Sequence, residues 1–290
     1  MNKTIVRIGG VPEHFNMPWH FAIDNKLFDR EGIEVQWINF PGGTGAMNKA
    51  LRENEIDVAV ILTEGIVADI SKGNPSSLLS FFVTSPLVWG IHVPANSDIH
   101  SIDEIRGRKY AISRYGSGSH LMAYVDADRR GWETDKLQFE LVGDLTGARK
   151  ALASGVAEVF FWEKFTTKPY VDNGEFRRVG DCPTPWPCFM IAARNAFIES
   201  SFDGLKVMLS VVRSSAANLM SDPEAAEIIS EKYSLDVEDV KEWLGATKWA
   251  VSPEVSIKTL ETTIDKLVEL KLIEERMPAE QICSVLCRLL

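Results

Sequence analysis

Tyr115-Gly116-Ser117-Gly118-Ser119-His120 stands between two apolar stretches of different period. Before it, Tyr110-Ala111-Ile112-Ser113 reads as a short buried strand; after it, Leu121, Met122 and Val125 fall at helical spacing. A strand, a glycine-serine loop and a helix start follow one another. Such a loop leaves the first backbone N–H groups of the helix free, backed by the positive end of the helix dipole, and so seats an anionic or strongly polar group. The plainer use of the same residues is that Ser117 or Ser119 caps the helix while the glycines make the turn. A second loop of this kind, Pro41-Gly42-Gly43-Thr44-Gly45, joins the strand Ile33 to Ile38 to a helix carrying Met47, Ala50 and Leu51.

The same alternation extends in both directions. Thr4 to Gly10 reads as a strand, and Trp19, Ala22 and Ile23 begin a helical stripe ending near Gly32. Ile56 to Ile61 is a third strand, closed by Leu62-Thr63-Glu64-Gly65 and a helix. Strands alternating with helices at about 20 to 30 residues per unit imply a parallel sheet with right-handed crossovers. Ligands of such sheets gather at the carboxyl ends of the strands. Leu78 to Val83 and Leu87 to Val93 are two further apolar runs, followed by the turn chemistry of Pro94-Ala95-Asn96-Ser97-Asp98. Residues 102 to 179 repeat the α/β pattern as a second lobe. Pro183, Pro185 and Pro187 around Trp186 do not suit a central strand, so a second crossing is expected there. Residues 1–92 with 188–290 form the expected first lobe and residues 93–187 the second. From Asn195 onward the pattern is helical: Leu205 to Met220, Glu224 to Tyr233, Val237 to Leu244, Pro253 to Leu270 and Pro278 to Leu290 are expected to clad the first lobe.

At 290 residues with 45% hydrophobic and 25% charged content, the chain is globular and long enough for two lobes. A net charge of −10 with no basic stripe argues against nucleic acid as a partner. No stretch approaches the ~18 apolar residues of a membrane span, and no apolar leader core follows Met1-Asn2-Lys3. The expectation is a cytoplasmic protein as the chain stands, periplasmic or at the cell surface where a leader has been trimmed. Cys182 and Cys188 flank the proline-rich loop; Cys283 and Cys287 are expected one turn apart on a helix. Neither pair has zinc-site spacing with histidines. No metal or cofactor is expected.

Four stretches carry a family resemblance. Phe21-Ala22-Ile23-Asp24-Asn25-Lys26-Leu27-Phe28-Asp29-Arg30-Glu31-Gly32-Ile33-Glu34-Val35, Ala50-Leu51 with Glu55 to Ala59, Ile102 to Ala111, and Ala151 to Glu163 resemble, in that order, motifs of the two-lobed substrate-binding proteins of ABC importers. That group takes aliphatic sulfonates, taurine, nitrate and thiamine-precursor pyrimidines. Lys26 and Asn54 stand where the family has glycine. The resemblance implies an α/β, type II periplasmic-binding-protein-like fold with C-terminal helices packed on lobe one. It also implies a small-molecule ligand held in an inter-lobe cleft by hinge closure, an ABC permease as partner where the chain is exported, and a monomer. Cytosolic enzymes share this scaffold, among them a cysteine-rich pyrimidine synthase and a desulfinase with a nucleophilic cysteine after the first strand. The corresponding loop here is His14-Phe15-Asn16-Met17-Pro18, without cysteine.

Five strand ends are expected to supply the ligand contacts: Phe15, Asn16 and Met17; Gly43 and Thr44; Thr63 and Glu64; Ser117, Gly118, Ser119 and His120; Trp162 and Glu163. The two helix starts favour an oxyanion or carbonyl. Glu64 and Glu163 favour a donor such as an amine, and Trp162, with Trp19, Trp89 or Trp186, offers a flat wall. Glu163 has an alternative as a surface ion-pair partner, Trp89 and Trp37 as core, and Asp57 and Asp144 as structural groups. Binding without turnover is the first reading. An enzyme using Glu64, His120 or Glu163 as acid or base is the alternative.

Overall fold

A computed structural model describes residues 3–290. They divide into two units, residues 3–85 with Trp186–Leu290 and Pro86–Pro185. The strands are β1 (Thr4–Gly10), β2 (Ile33–Asn39), β3 (Val58–Leu62), β4 (Ser76–Pro94), β5 (Lys109–Ile112), β6 (Gln138–Leu141), β7 (Val159–Glu163) and β8 (Phe176–Arg194). Their hydrogen-bonded order is β2-β1-β3-β8-β4-β7-β5-β6, and the 19-residue β4 and β8 each contribute to both units.

In the first unit β1 pairs in parallel with β2 and β3, while β3 runs antiparallel to β8 from Leu62↔Phe189 to Val58↔Ala193. Four of the five β3 residues are buried, as expected of a central strand covered on both faces. A Cβ on Gly10 would come 2.3 Å from the Trp37 ring of β2, so the end of β1 has room only for glycine. In the second unit β5 pairs in parallel with β6 and β7, and β7 runs antiparallel to β4 with Trp89 opposite Glu163.

The fold is α/β with helices covering the first unit's sheet, as the sequence implies. Phe202–Ser221 buries Leu205, Met208, Leu209, Val212, Ala216 and Leu219 and packs on Met17–Asp24; Ile257–Glu269 packs on Thr63–Ser71. Other expectations need correction. The two apolar runs after Leu78 are one strand. Pro183, Pro185 and Pro187 lie inside β8, which is possible because pairing with β3 begins at Phe189, beyond the last proline. Residues 278–290 are not a helix: Ala279–Ile282 is, and Arg288–Leu289 then pairs with Glu254–Val255. The Leu78 carbonyl accepts from the Ser284 N–H at 2.8 Å, which takes the backbone out of the helical path.

Lys26 and Asn54 both adopt left-handed backbone, with φ of 56° and 60°. Each ends a helical turn where a side chain is a disadvantage, which is the physical reason a glycine suits these two positions.

Candidate functional site

The first unit gathers several of the expected residues just beyond its strands. β1 ends at Gly10, so Phe15 and Asn16 lie in the turn His14–Asn16, and Met17 opens the helix Met17–Asp24, rather than ending the strand. Asn16 Nδ2 donates to the Val11 carbonyl at 2.7 Å, and its buried Oδ1 has no protein partner. The Phe15 ring lies 5.2 Å from Phe189, which is paired with Leu62 at the end of β3. Trp249 Nε1 donates to the Phe15 carbonyl at 2.9 Å, and Trp243 packs edge-on 5.1 Å from the Phe15 ring. His14 sits 4.2 Å from Trp243, and burial pushes its imidazole down to about 3, so it is neutral.

Thr63 and Glu64 follow β3 as the first residues of the helix Thr63–Ser71, which has no side-chain cap. Glu64 is 1% exposed. Its Oε2 accepts from Trp186 Nε1 at 2.7 Å, while Oε1 is buried with no protein partner, as is Thr63 Oγ1. Burial pushes the Glu64 carboxyl up to about 7, against the indole bond, which favours the charged form. A Cβ on Gly65 would meet Thr44 Cγ2 at 2.2 Å, and Asn48 Nδ2 donates to the Gly65 carbonyl at 3.1 Å. These contacts press the helix Gly43–Arg52 against the start of Thr63–Ser71. The Gly43 N–H donates to Phe40 O at 2.9 Å, so that donor is not free for a ligand.

In the second unit the glycine-serine loop largely satisfies itself. Ser117 caps the helix Gly118–Arg129, its Oγ accepting from the His120 N–H, and lies 3.1 Å from Ser119 Oγ. Ser119 Oγ accepts from the Ser113 N–H at 3.1 Å. The Gly116 N–H donates to His120 Nδ1 at 3.1 Å, which leaves the ring proton on Nε2. Burial brings the His120 imidazole down to about 4, and Tyr115, Tyr124 and Phe139 surround it at 5.3, 5.1 and 4.7 Å. Trp162 stacks on Phe160 at 5.3 Å and meets Trp89 edge-on. Glu163 is buried and not a surface ion-pair partner: its Oε2 accepts from the Thr166 N–H at 2.6 Å and the Thr166 hydroxyl at 2.8 Å. Its carboxyl is raised by burial despite these bonds, and it braces its own turn.

Asp57 is structural: it accepts from Arg7 Nε at 2.9 Å and Nη2 at 2.7 Å, and from Arg194. Among the described residues no group of three or more His, Cys, Asp or Glu side chains is placed to hold a metal ion, and no helix is long and apolar enough to cross a membrane. The sequence gives no sign of Trp243 packing on Phe15, of Trp249 donating to the Phe15 carbonyl, or of Trp186 as the partner of Glu64. Their separations of more than 100 residues leave no local signal.

This architecture is the type II periplasmic-binding-protein fold of ABC importers' substrate-binding proteins. More narrowly, the family model described as Ca3427-like PBP matches residues 89–182. The solved structure of the Candida albicans CA3427 gene product is 27% identical, covers 95% of this chain and 92% of its own, and superposes with a TM-score of 0.87. It is described as defining a new family of proteins with the generic periplasmic binding protein fold. The alkanesulfonate-binding protein SsuA of Xanthomonas axonopodis pv. citri, bound to MOPS, is 16% identical over 98% of this chain and 99% of its own, with a TM-score of 0.82. The periplasmic nitrate-binding protein NrtA of Synechocystis PCC 6803 is 13% identical over 97% and 85%, with a TM-score of 0.78. At such identities SsuA and NrtA show likeness of fold alone. No curated protein matches the chain in sequence.

Proposed function

We propose that this protein captures a small, neutral or zwitterionic polar molecule, heteroaromatic or sulfonate-like, and binds it without turnover. The observation that carries the reading is Glu64, a buried carboxyl with one oxygen held by Trp186 and the other unpartnered at the end of β3. A buried polar atom without a partner costs about 1–3 kcal/mol, so a ligand group that bonds to Oε1 recovers that cost. Asn16 Oδ1 and Thr63 Oγ1, also buried and unpartnered, add places for ligand donors. Bare nitrate or sulfate suits this set poorly, because Asn16 Oδ1 only accepts and an ionised Glu64 repels. Phe15, Met17, Gly43, Thr44, Ser117, Gly118, Ser119, His120 and Trp162 remain proposed contacts, with His120 Nε2–H as a donor and closure by hinge motion. Glu163 is the weakest of the proposed contacts, since its turn already uses it. Delivery to an ABC permease belongs to this reading where the chain is exported.

Incubation with alkanesulfonates, aminopyrimidines and amino-acid derivatives, followed by thermal shift and by mass spectrometry of the small molecules, tests the reading. Stabilisation with the compound recovered unchanged is expected. Protein-dependent product formation contradicts it.

A further inference from the structure

The C-terminal segment holds a pair of thiols that ligand binding does not use. Cys283 is bridged to Leu78 of β4, and Cys287 Sγ donates to the carbonyl of that same Leu78 at 3.1 Å. The turn between them is closed by the Cys287 N–H donating to Ser284 O at 3.0 Å, with Val285 at its tip 84% exposed. Both cysteines are thus anchored on one backbone position. Both are free thiols, Cys287 buried and Cys283 partly exposed.

From this geometry we infer that Cys283 and Cys287 form a redox modification site that closes to a disulfide when a hydroperoxide supplies the two-electron oxidation. The beginning of the step falls to Cys283, the more accessible of the two. The Cys287 S–H that donates to Leu78 O can turn instead to a Cys283 thiolate beside it, which lowers the Cys283 pKa, whereas Cys287 itself is pushed up. The Cys283 thiolate attacks one peroxide oxygen; an S–O bond forms, the O–O bond breaks, and the leaving oxide takes a proton to become water or an alcohol. Cys287 sulfur then attacks the sulfenic sulfur. The S–S bond forms, the S–O bond breaks, and the hydroxyl leaves as water with the Cys287 proton. Two thiols are oxidised and one peroxide is reduced. The disulfide would tie together the ends of the turn that leads into Arg288–Leu289, the strand paired with Glu254–Val255 just before the helix Ile257–Glu269. That helix packs on Thr63–Ser71, the helix that Glu64 begins.

The test is native protein treated with stoichiometric hydrogen peroxide, alkylated, digested with trypsin and read by mass spectrometry. Met277–Arg288 carries both cysteines between two arginine cleavage sites. The expected result is this peptide lighter by two hydrogens and unalkylated, while Cys182 and Cys188, both buried, stay reduced. In Cys287→Ser, Cys283 should instead stop at the sulfenic acid and be trapped by a cyclic 1,3-dione. A peptide with both thiols still alkylated after treatment, or with Cys283 driven to the sulfinic acid while Cys287 is present, overturns the inference. Neither result depends on the identity of the ligand.

Discussion

Glu64 has one oxygen bonded to an indole and one with nothing to bond, and its burial raises its pKa to about 7. A raised carboxyl binds more protons in the folded chain than in the unfolded one between about 4.5 and 7, so stability falls as pH rises through that window. The gap corresponds to about 3 kcal/mol at and above pH 7. Glu64→Gln keeps an acceptor for Trp186 and cannot ionise. Denaturant unfolding of the ligand-free proteins should therefore show the Glu64→Gln variant gaining stability relative to the wild type as pH goes from 5 to 8; a constant difference across that range contradicts the assignment. Asp57 has the opposite sign. Burial pulls it up, but its bonds from Arg7 and Arg194 outweigh this and hold it below the ordinary carboxylate range, so its contribution is lost as pH falls. Lys26 is a simpler case, a residue with a side chain held at φ 56°. Lys26→Gly should stabilise by about 0.5–1 kcal/mol in equilibrium unfolding, and a loss of stability would mean that the side chain matters more than the strain.

The helices Gly43–Arg52 and Thr63–Ser71 meet where Gly65 receives the Thr44 methyl. Gly65→Ala forces them apart and should cost about 1–3 kcal/mol, with Thr44→Ser in the same chain recovering part of it. Thermal unfolding of the single and double variants checks this, and additive losses would contradict the contact. The strand and helix alternation of the first unit is legible because apolar periodicity is a local property: Ile56 to Ile61 predicts β3, and Met47, Ala50 and Leu51 predict the buried face that follows β2. Ser117 as a cap is equally local. The continuity of β4 through Pro86 is not legible, because strand length depends on which neighbours offer pairing. The end of the chain misleads for the same reason. Pro278 to Leu290 reads as one helix with Cys283 and Cys287 a turn apart, but Leu78 competes for the backbone and for Cys287. The positions of Phe15 and Glu64 after β1 and β3 are legible in the sequence. Their aromatic partners are not, since Trp249 and Trp186 lie 234 and 122 residues away in sequence.

Two units share the 19-residue strands β4 and β8. Similarity to sulfonate- and nitrate-binding proteins gives the fold and leaves the ligand to the side chains. In the first unit Glu64 is a buried acid; in the second the serine turn satisfies itself and His120 is neutral. On the proposed function, capture turns on Glu64 meeting a donor or acceptor of a neutral or zwitterionic ligand. Calorimetric titration of nitrate, sulfate, alkanesulfonates and heteroaromatic amines into the wild type and Glu64→Gln tests this most directly. The predicted result is binding of a neutral or zwitterionic compound that weakens at least several-fold in the variant, as loss of a buried hydrogen bond requires. Tight binding of nitrate or sulfate, unchanged by Glu64→Gln, would contradict it.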